Sequence, residues 1–530
     1  MRQLSAHDAA FLYAETAHSN ANVTLVHIYN QGTAPGGKLR FKTILAHIES
    51  RLDRLPSFRQ KLQRVPLDVD LPYWVDDENF DLEYHVRHIA LPKPGDWRQF
   101  CIQASRIHAR PLDLNRPLWE IYIIEGLDSF LDLPEGSFAL LAKTHHAAID
   151  VESGSEITML LHDLDATPAA IPPPAPWFPE AAPGRISMMA RGAAHTLAAS
   201  ARLAGPLGRV VRQMAPAAVR MARDWLLRPA SLPVTRFNSV VSPHRVFETR
   251  RFKLEEFKAI RGLVDGATVN DAVLAVCGGA LRRYLDHHGE LPSASCSAMA
   301  PTYLRAESGA ADARPELAWL RVQLGTDMAD PVQRLALLRE QSGVAELTAR
   351  AVGARELTDL ARHAPAATLA LSSKLLGRAM GSIGRRAPLA NCTITNVPGP
   401  AQPLYLCGAH LSYFSAIMPI ADGMGLVFAV TSYDGQVVIS PTSCRELMPD
   451  PELFAQCVRD SFQEYLAAAL VSPGLASRPK PGLKPSPKPA AARKPRQAVK
   501  PAAPTAALAA RAAPRRASRA GRPTPTSRMA

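Results

Sequence analysis

The chain has no CxxC pair, no apolar run long enough to cross a bilayer and no glycine-rich phosphate loop. Its seven cysteines (101, 277, 296, 392, 407, 444 and 457) are scattered. An odd, unclustered set predicts a reduced protein without a disulfide framework or a structural zinc site. The start, Met1 to Asp8, lacks an apolar signal region, which predicts no secretory leader. Without about 18 uninterrupted apolar residues, no membrane-spanning helix is expected. Acid is missing locally. Residues 471–530 hold 14 of the 61 Lys/Arg, none of the 48 Asp/Glu and no aromatic residue. The net charge of +13 therefore belongs to this tail, and the remaining body is close to neutral. A Pro/Ala/Lys/Arg tail cannot bury a core and is predicted to be disordered. Without stacking side chains it reads as a solvated extension, with non-specific polyanion binding by counterion release.

What remains is large. With 530 residues, 47% of them hydrophobic, the chain exceeds one ordinary domain and can fill a substantial core. The pattern predicts an α/β protein in four parts, with no repeat of fixed period. In residues 1–168, Val23–Tyr29, Trp119–Ile124 and Ser137–Thr144 read as strands, and Leu39–Leu62 has helical spacing. Ser153–Leu164 sets Ile157, Leu160, Leu161 and Leu164 on one helical face. Residues 169–234 open with six prolines between Ala169 and Pro183, as an extended linker does. They continue as basic amphipathic helices over 185–228, with eight arginines, one acid (Asp224) and breaks at Pro206 and Pro216. In residues 235–470 a helix opens at Ala267 and ends near Gly289. Leu426–Ser432 and Gln436–Ser440 form a hairpin through a Tyr-Asp-Gly turn, and Pro449–Leu470 is a closing helix. Residues 471–530 are the tail.

The chemistry concentrates at His145-His146-Ala-Ala-Ile-Asp150, which follows the buried strand directly. A neutral imidazole at a strand end can take a proton from a hydroxyl and return it to a leaving group. A nearby carboxylate can fix its tautomer, or pair with an arginine and hold the turn. The bland alternative is a pair of histidines satisfied by hydrogen bonds. A second pair, His287-His288, ends a helix before Gly289 without an aspartate in register, and reads as surface capping. No metal-ligand spacing stands out.

The HHxxxD stretch resembles the HHxxxDG motif of condensation-type acyltransferases. Further stretches, in order, resemble the bacterial wax ester synthase/diacylglycerol acyltransferase family: Leu4–Phe11, Arg116–Glu120, Thr268–Asp271, Met299–Arg305, Thr395–Pro400 (with threonine where the family has serine), and Ser432–Gly435 followed by Leu447–Asp450. The resemblance implies two chloramphenicol-acetyltransferase-like domains with an active-site tunnel between them. It implies an O-acyltransferase that uses acyl-CoA as co-substrate, without a cofactor, and acts on diacylglycerol or a long-chain alcohol. By family position His146 is the general base and His145 orients the strand end. Asp150 fixes the loop, with an arginine such as Arg305 as a candidate partner. Asn270 is a candidate oxyanion donor, though Asn270 and Asp271 equally suit helix capping. Trp119, Thr395 and Asn396 are substrate-side or tunnel candidates, with Trp119 read first as core packing.

Two positions depart from the family pattern. Val151 replaces the glycine after the motif aspartate, and a β-branched residue disfavours φ > 0. Cys444 stands where an aspartate is common. These changes keep two alternatives open: a related acyltransferase with another hydroxyl acceptor, and a catalytically weakened lipid-binding or granule-associated paralogue. The 185–228 segment suits peripheral contact with an inner membrane or lipid inclusion from the cytoplasm, or a plain helical crossover with a solvated basic face.

Overall fold

Nine consecutive residues, Ser137–His145, are buried along their whole length. A strand covered on both faces must divide its side chains between two cores. Phe138, Leu140 and Ala142 join Ile44, Ile48, Ile157 and Leu161 in one core. Ala139 and Leu141 join Phe100, Ala104 and Ile107 in the other. Helices Phe41–Glu49 and Ser153–Leu161 therefore serve one face of this sheet and Trp97–Ala109 the other. The computed structural model describes residues 2–127, 133–134, 136–149, 153–168, 170–171, 176–184, 186–195, 232–304, 316–351 and 388–471.

This first sheet has six strands, in the order Tyr405–Leu406, Ala409–Ile417, Asn22–Asn30, Ser137–His145, Trp119–Leu127 and Val86–Ala90. All its pairs are antiparallel except Val86–Ala90 with Trp119–Leu127. The second sheet has seven strands. Its path runs Glu316–Gln323, Ser297–Leu304, Cys392–Pro398, Val427–Tyr433, Gln436–Cys444 and Arg245–Phe247, and Arg250–Lys253 also pairs with Gln436–Cys444. Helices Val269–His287 and Pro451–Val471 share its apolar core. A small sheet of Arg2–Gln3, Tyr73–Asp76 and Gln60–Gln63 completes the set.

Several local expectations hold. Val269–His287 ends in a Schellman motif, with Glu290 N–H bonding Leu285 C=O at 2.8 Å and Gly289 N–H bonding Asp286 C=O at 2.9 Å. The hairpin turn is Asp434-Gly435, both with positive φ (43° and 72°), as a two-residue type I′ turn requires. Others need correction. The helical spacing from Leu39 to Leu62 yields a helix only over Phe41–Glu49, then two 3₁₀ turns and the strand Gln60–Gln63. Pro56 pushes Leu55 out of the helical region (φ −127°, ψ 80°). The helix after the histidine motif stops at Leu161, leaving Leu164 58% exposed and off the buried face.

Chain order and sheet membership also diverge. Ala409–Ile417, inside the stretch assigned to a second domain, pairs with Asn22–Asn30 in the first sheet. Of the basic crossover, residues 186–195 are helical, and 196–231 lie outside the described residues, as does the tail from 472. The Pro-rich stretch, over residues 176–184, has no regular secondary structure and meets the small sheet where Glu180 N–H bonds Asp76 at 3.0 Å.

Candidate active site

The backbone fixes both motif histidines from two sides. His145 N–H donates to Leu118 C=O at 3.0 Å and His146 N–H to Ala21 C=O at 2.8 Å. A 3₁₀ turn, His146–Ala148, follows and closes with Ile149 N–H on His146 C=O at 3.1 Å.

The two side chains then differ. The His145 ring is buried. Its Nδ1 accepts from Ala147 N–H at 3.1 Å, and its Nε2 donates to Glu15 Oε1 at 3.1 Å. That carboxylate oxygen also accepts from Ala21 N–H at 2.8 Å. His146 is half-buried and lies flat against Phe11, with ring centroids 3.8 Å apart and planes 17° apart. His145 is thus tied on both nitrogens, one to the turn and one to Glu15, while the His146 ring packs on Phe11.

Behind the histidines lies a buried cation that the sequence reading missed. Lys143, fully buried, donates to Arg110 C=O at 2.6 Å and sits 3.4 Å from Glu120, which also pairs with Arg87 at 3.2 Å. Desolvation pulls its pKa down to about 8, against the upward pull of Glu120. A second missed group lies at the end of helix Ser153–Leu161. His162 Nδ1 donates to Thr158 C=O at 2.5 Å, and its Nε2 accepts from Tyr29 OH at 2.6 Å. His47 Nε2 donates to Leu161 C=O at 3.0 Å, and the His27 ring lies 5.2 Å from that of His162. Burial depresses all three histidines, His162 to about 4. Neither Lys143 nor these histidines belong to a local motif; only contacts between elements distant in sequence reveal them.

The remaining candidates are spread over the fold. Trp119 sits opposite Thr144 and is core: its ring stacks on Phe58 and His85, both at 4.5 Å, and its Nε1 donates to Phe58 C=O at 2.9 Å. Asp271 completes a capping box. Its Oδ2 accepts from Thr268 N–H and Oγ1, each at 2.8 Å, and its Oδ1 accepts from Ser342 at 2.5 Å. Asn270 is exposed on the same first turn, where Thr268 is the N-cap. Thr395, half-buried, and Asn396, exposed, lie on Cys392–Pro398, parallel to Val427–Tyr433. That strand runs into Gly399, where a Cβ would stand 2.6 Å from Ser432 C=O, so glycine is required by close approach. Cys444 is buried opposite Arg245, whose guanidinium donates to His18 C=O at 2.6 Å and to Ser242 C=O. His287 and His288 sit at the helix end, with His288 Nε2 3.3 Å from Asp450. Asp150, Val151 and Arg305 lie outside the described residues. Among the described residues no cluster of three or more His, Cys, Asp or Glu could hold a metal ion.

Known proteins resemble this architecture along its length. Residues 4–273 match the wax ester synthase/diacylglycerol acyltransferase catalytic domain, and residues 316–465 match the C-terminal domain of the same family. A Mycobacterium tuberculosis protein with the provisional name diacylglycerol O-acyltransferase is 31% identical over 476 residues, covering 89% of this chain and 90% of its own. O-acyltransferase WSD of Acinetobacter baylyi is 30% identical over 409 residues, covering 74% of this chain and 82% of its own. Among solved structures, the wax ester synthase/diacylglycerol acyltransferase of Marinobacter aquaeolei superposes with a TM-score of 0.64 at 24% identity, covering 89% of this chain and all of that one.

Proposed function

The chain belongs to the wax ester synthase/diacylglycerol acyltransferase family, and from that premise we propose that it moves an acyl group from acyl-CoA to the hydroxyl of diacylglycerol or a long-chain alcohol. The observation that carries the reading is the division between the two histidines. His145 has one nitrogen on the turn and the other on Glu15, and His146 stands half-buried beside it with its ring against Phe11. In the proposed reaction the His146 imidazole removes the acceptor proton as the hydroxyl oxygen attacks the thioester carbon. The tetrahedral intermediate collapses, the C–S bond breaks, and the imidazolium returns the proton to the thiolate as CoA-SH leaves. Acyl-CoA enters as co-substrate, with no further cofactor. Asn270 is proposed as a donor to the developing oxyanion, and Asp150 as the residue that holds the loop.

The test is CoA release from palmitoyl-CoA with hexadecanol or dioleoylglycerol, beside the His146→Ala protein. Acceptor-dependent release that vanishes in the variant supports the reading, and the better acceptor names the activity. No release above the variant with either acceptor overturns it for these substrates and turns attention to the lipid-binding alternative.

Peripheral contact with a lipid surface is the second part of the proposal. No helix among the described residues is long and apolar enough to cross a membrane. Helix 186–195 turns Met188 and Gly192 inward, while Ile186 is 85% exposed and Phe178, just before it, 84%. Outward apolar side chains beside an arginine-rich stretch suit an interfacial segment. Flotation with anionic vesicles should carry the protein, and Phe178→Glu with Ile186→Glu should abolish flotation; equal flotation of the double variant counts against this surface. For the tail, charge alone supports non-specific polyanion binding, which should fall steeply with salt and disappear on removal of residues 471–530.

A further inference from the structure

The first helix reaches both motif histidines. It spans Ala6–Ala14 and is capped by Ser5 at its start and Glu15 at its end. Phe11 and Glu15 are four residues apart, so they project from one side of the helix a turn apart. Phe11 carries the ring stacked on His146, and Glu15 carries the oxygen bonded to His145. The helix is itself held firmly: Leu4, Ala9, Leu12 and Tyr13 are buried with Leu62, Trp74, Leu118 and Ala147.

The two bonds of His145 decide its tautomer. Ala147 N–H donates to Nδ1, so Nδ1 carries no hydrogen and the ring proton sits on Nε2. That N–H points at Glu15, a pure acceptor. The opposite tautomer would set two N–H groups head to head at Ala147 and leave Nε2 facing a carboxylate with no proton between them. Glu15 thereby favours the one form of His145 that can hold the turn His146–Ala148.

We propose that Glu15 is a positioning residue of the transferase site: it holds His145 as the Nε2–H tautomer, and His145 in turn fixes the turn that presents His146. Phe11 sets the plane of the His146 ring from the same helix. The inference rests on His146 being the base.

Two readouts on the full-length protein test it. The first is the tautomer of His145, read from imidazole nitrogen shifts in ¹⁵N-histidine protein and assigned with His145→Gln. The second is turnover of Glu15→Ala and Glu15→Gln, with thermal melts alongside. The wild type and Glu15→Gln, whose amide oxygen still accepts, should show the Nε2–H form; Glu15→Ala should show a mixture. With Glu15→Ala, kcat should fall by roughly ten- to a hundredfold, as misplacement of a catalytic group does, while KM changes little and Glu15→Gln recovers most of the loss. An unchanged His145 tautomer in Glu15→Ala overturns the inference, as does an equal loss of kcat and melting temperature in both variants, which would make Glu15 a packing residue only. A wild-type protein with the stated tautomer and no turnover sinks the transferase reading instead.

Discussion

Both carboxylate oxygens of Asp271 are engaged at the head of helix Val269–His287, and this decides what the residue does. A capping residue contributes stability; a catalytic one contributes rate. Asp271→Ala should lower the unfolding free energy by about 1–2 kcal/mol, the usual cost of losing a cap, and leave kcat per folded molecule unchanged. A loss of kcat at an unchanged melting temperature would return Asp271 to the chemistry. Lys143 gives a second prediction at this scale. Its folded pKa, about 8, lies below the ordinary 10.5, so between those values the unfolded chain holds a proton that the folded chain does not. Stability should therefore rise as pH goes from 8 to 10.5, by about 3 kcal/mol from this group. Denaturant unfolding of wild type against Lys143→Met should show that rise in the wild type only; parallel curves would mean that Lys143 is not desolvated in solution. The histidine pair was legible in the sequence because its partners in the motif are adjacent. Glu15 is not legible, because it stands 130 positions before His145 and no local spacing links the two.

Strands and helices were readable wherever one periodicity ruled a segment. Ser137–His145 and the hairpin at Asp434-Gly435 announce themselves by an apolar run and by turn chemistry. Leu39–Leu62 misleads because apolar spacing continues past Pro56, which the backbone cannot follow as a helix. The helix Ser153–Leu161 hides its most consequential feature in its last turn. Its C-terminal carbonyls are taken up by His47 on Leu161 at 3.0 Å and by Arg51 on Leu160 at 2.6 Å, and Arg51 also pairs with Asp163. This anchors the far end of the segment that leaves the histidine turn. The packing beside this anchor depends on a neutral imidazole, since His162 Nε2 accepts from Tyr29 OH only while it carries no proton. His27, His47 and His162 all have folded pKa values below the ordinary 6.5, with His162 near 4. Below pH 6.5 the unfolded chain takes up protons that the folded chain refuses, so stability is lost as pH falls from about 6.5 toward 4. Each such histidine adds a slope of up to about 1.4 kcal/mol per pH unit. Urea unfolding at pH 7 and pH 5 should show the loss, and His162→Gln should reduce the difference between the two pH values. An undiminished difference would assign the acid sensitivity to other groups.

The composition shift near residues 169–234 divides the chain in order, yet the sheets do not respect that division. Ala409–Ile417 looks like any other apolar strand, and nothing local says which sheet it will join. It lies beside Asn22–Asn30, whose other neighbour is the histidine strand, so the C-terminal half covers one side of the strand that supports the site. Further contacts cross between the same halves. Arg245 holds His18 C=O at 2.6 Å, Ser19 donates to Ile420 C=O at 2.7 Å, and Trp97 donates to the buried Glu248 at 2.9 Å. A fragment of residues 1–195 would therefore expose the paired edge of Asn22–Asn30, including its bonds to the hydrophobic strand that covers it, and an open apolar edge invites aggregation. Expressed alone, the fragment should be insoluble or melt without cooperativity. Expressed with residues 232–471, it should be recovered as a soluble complex with a single cooperative transition. A fragment that melts cooperatively by itself would mean that the strand pairing is incidental to the stability of the histidine strand. Failure alone with rescue by the second fragment would mean that the C-terminal half forms part of the support of His145 and His146, and that the site requires both halves of the chain.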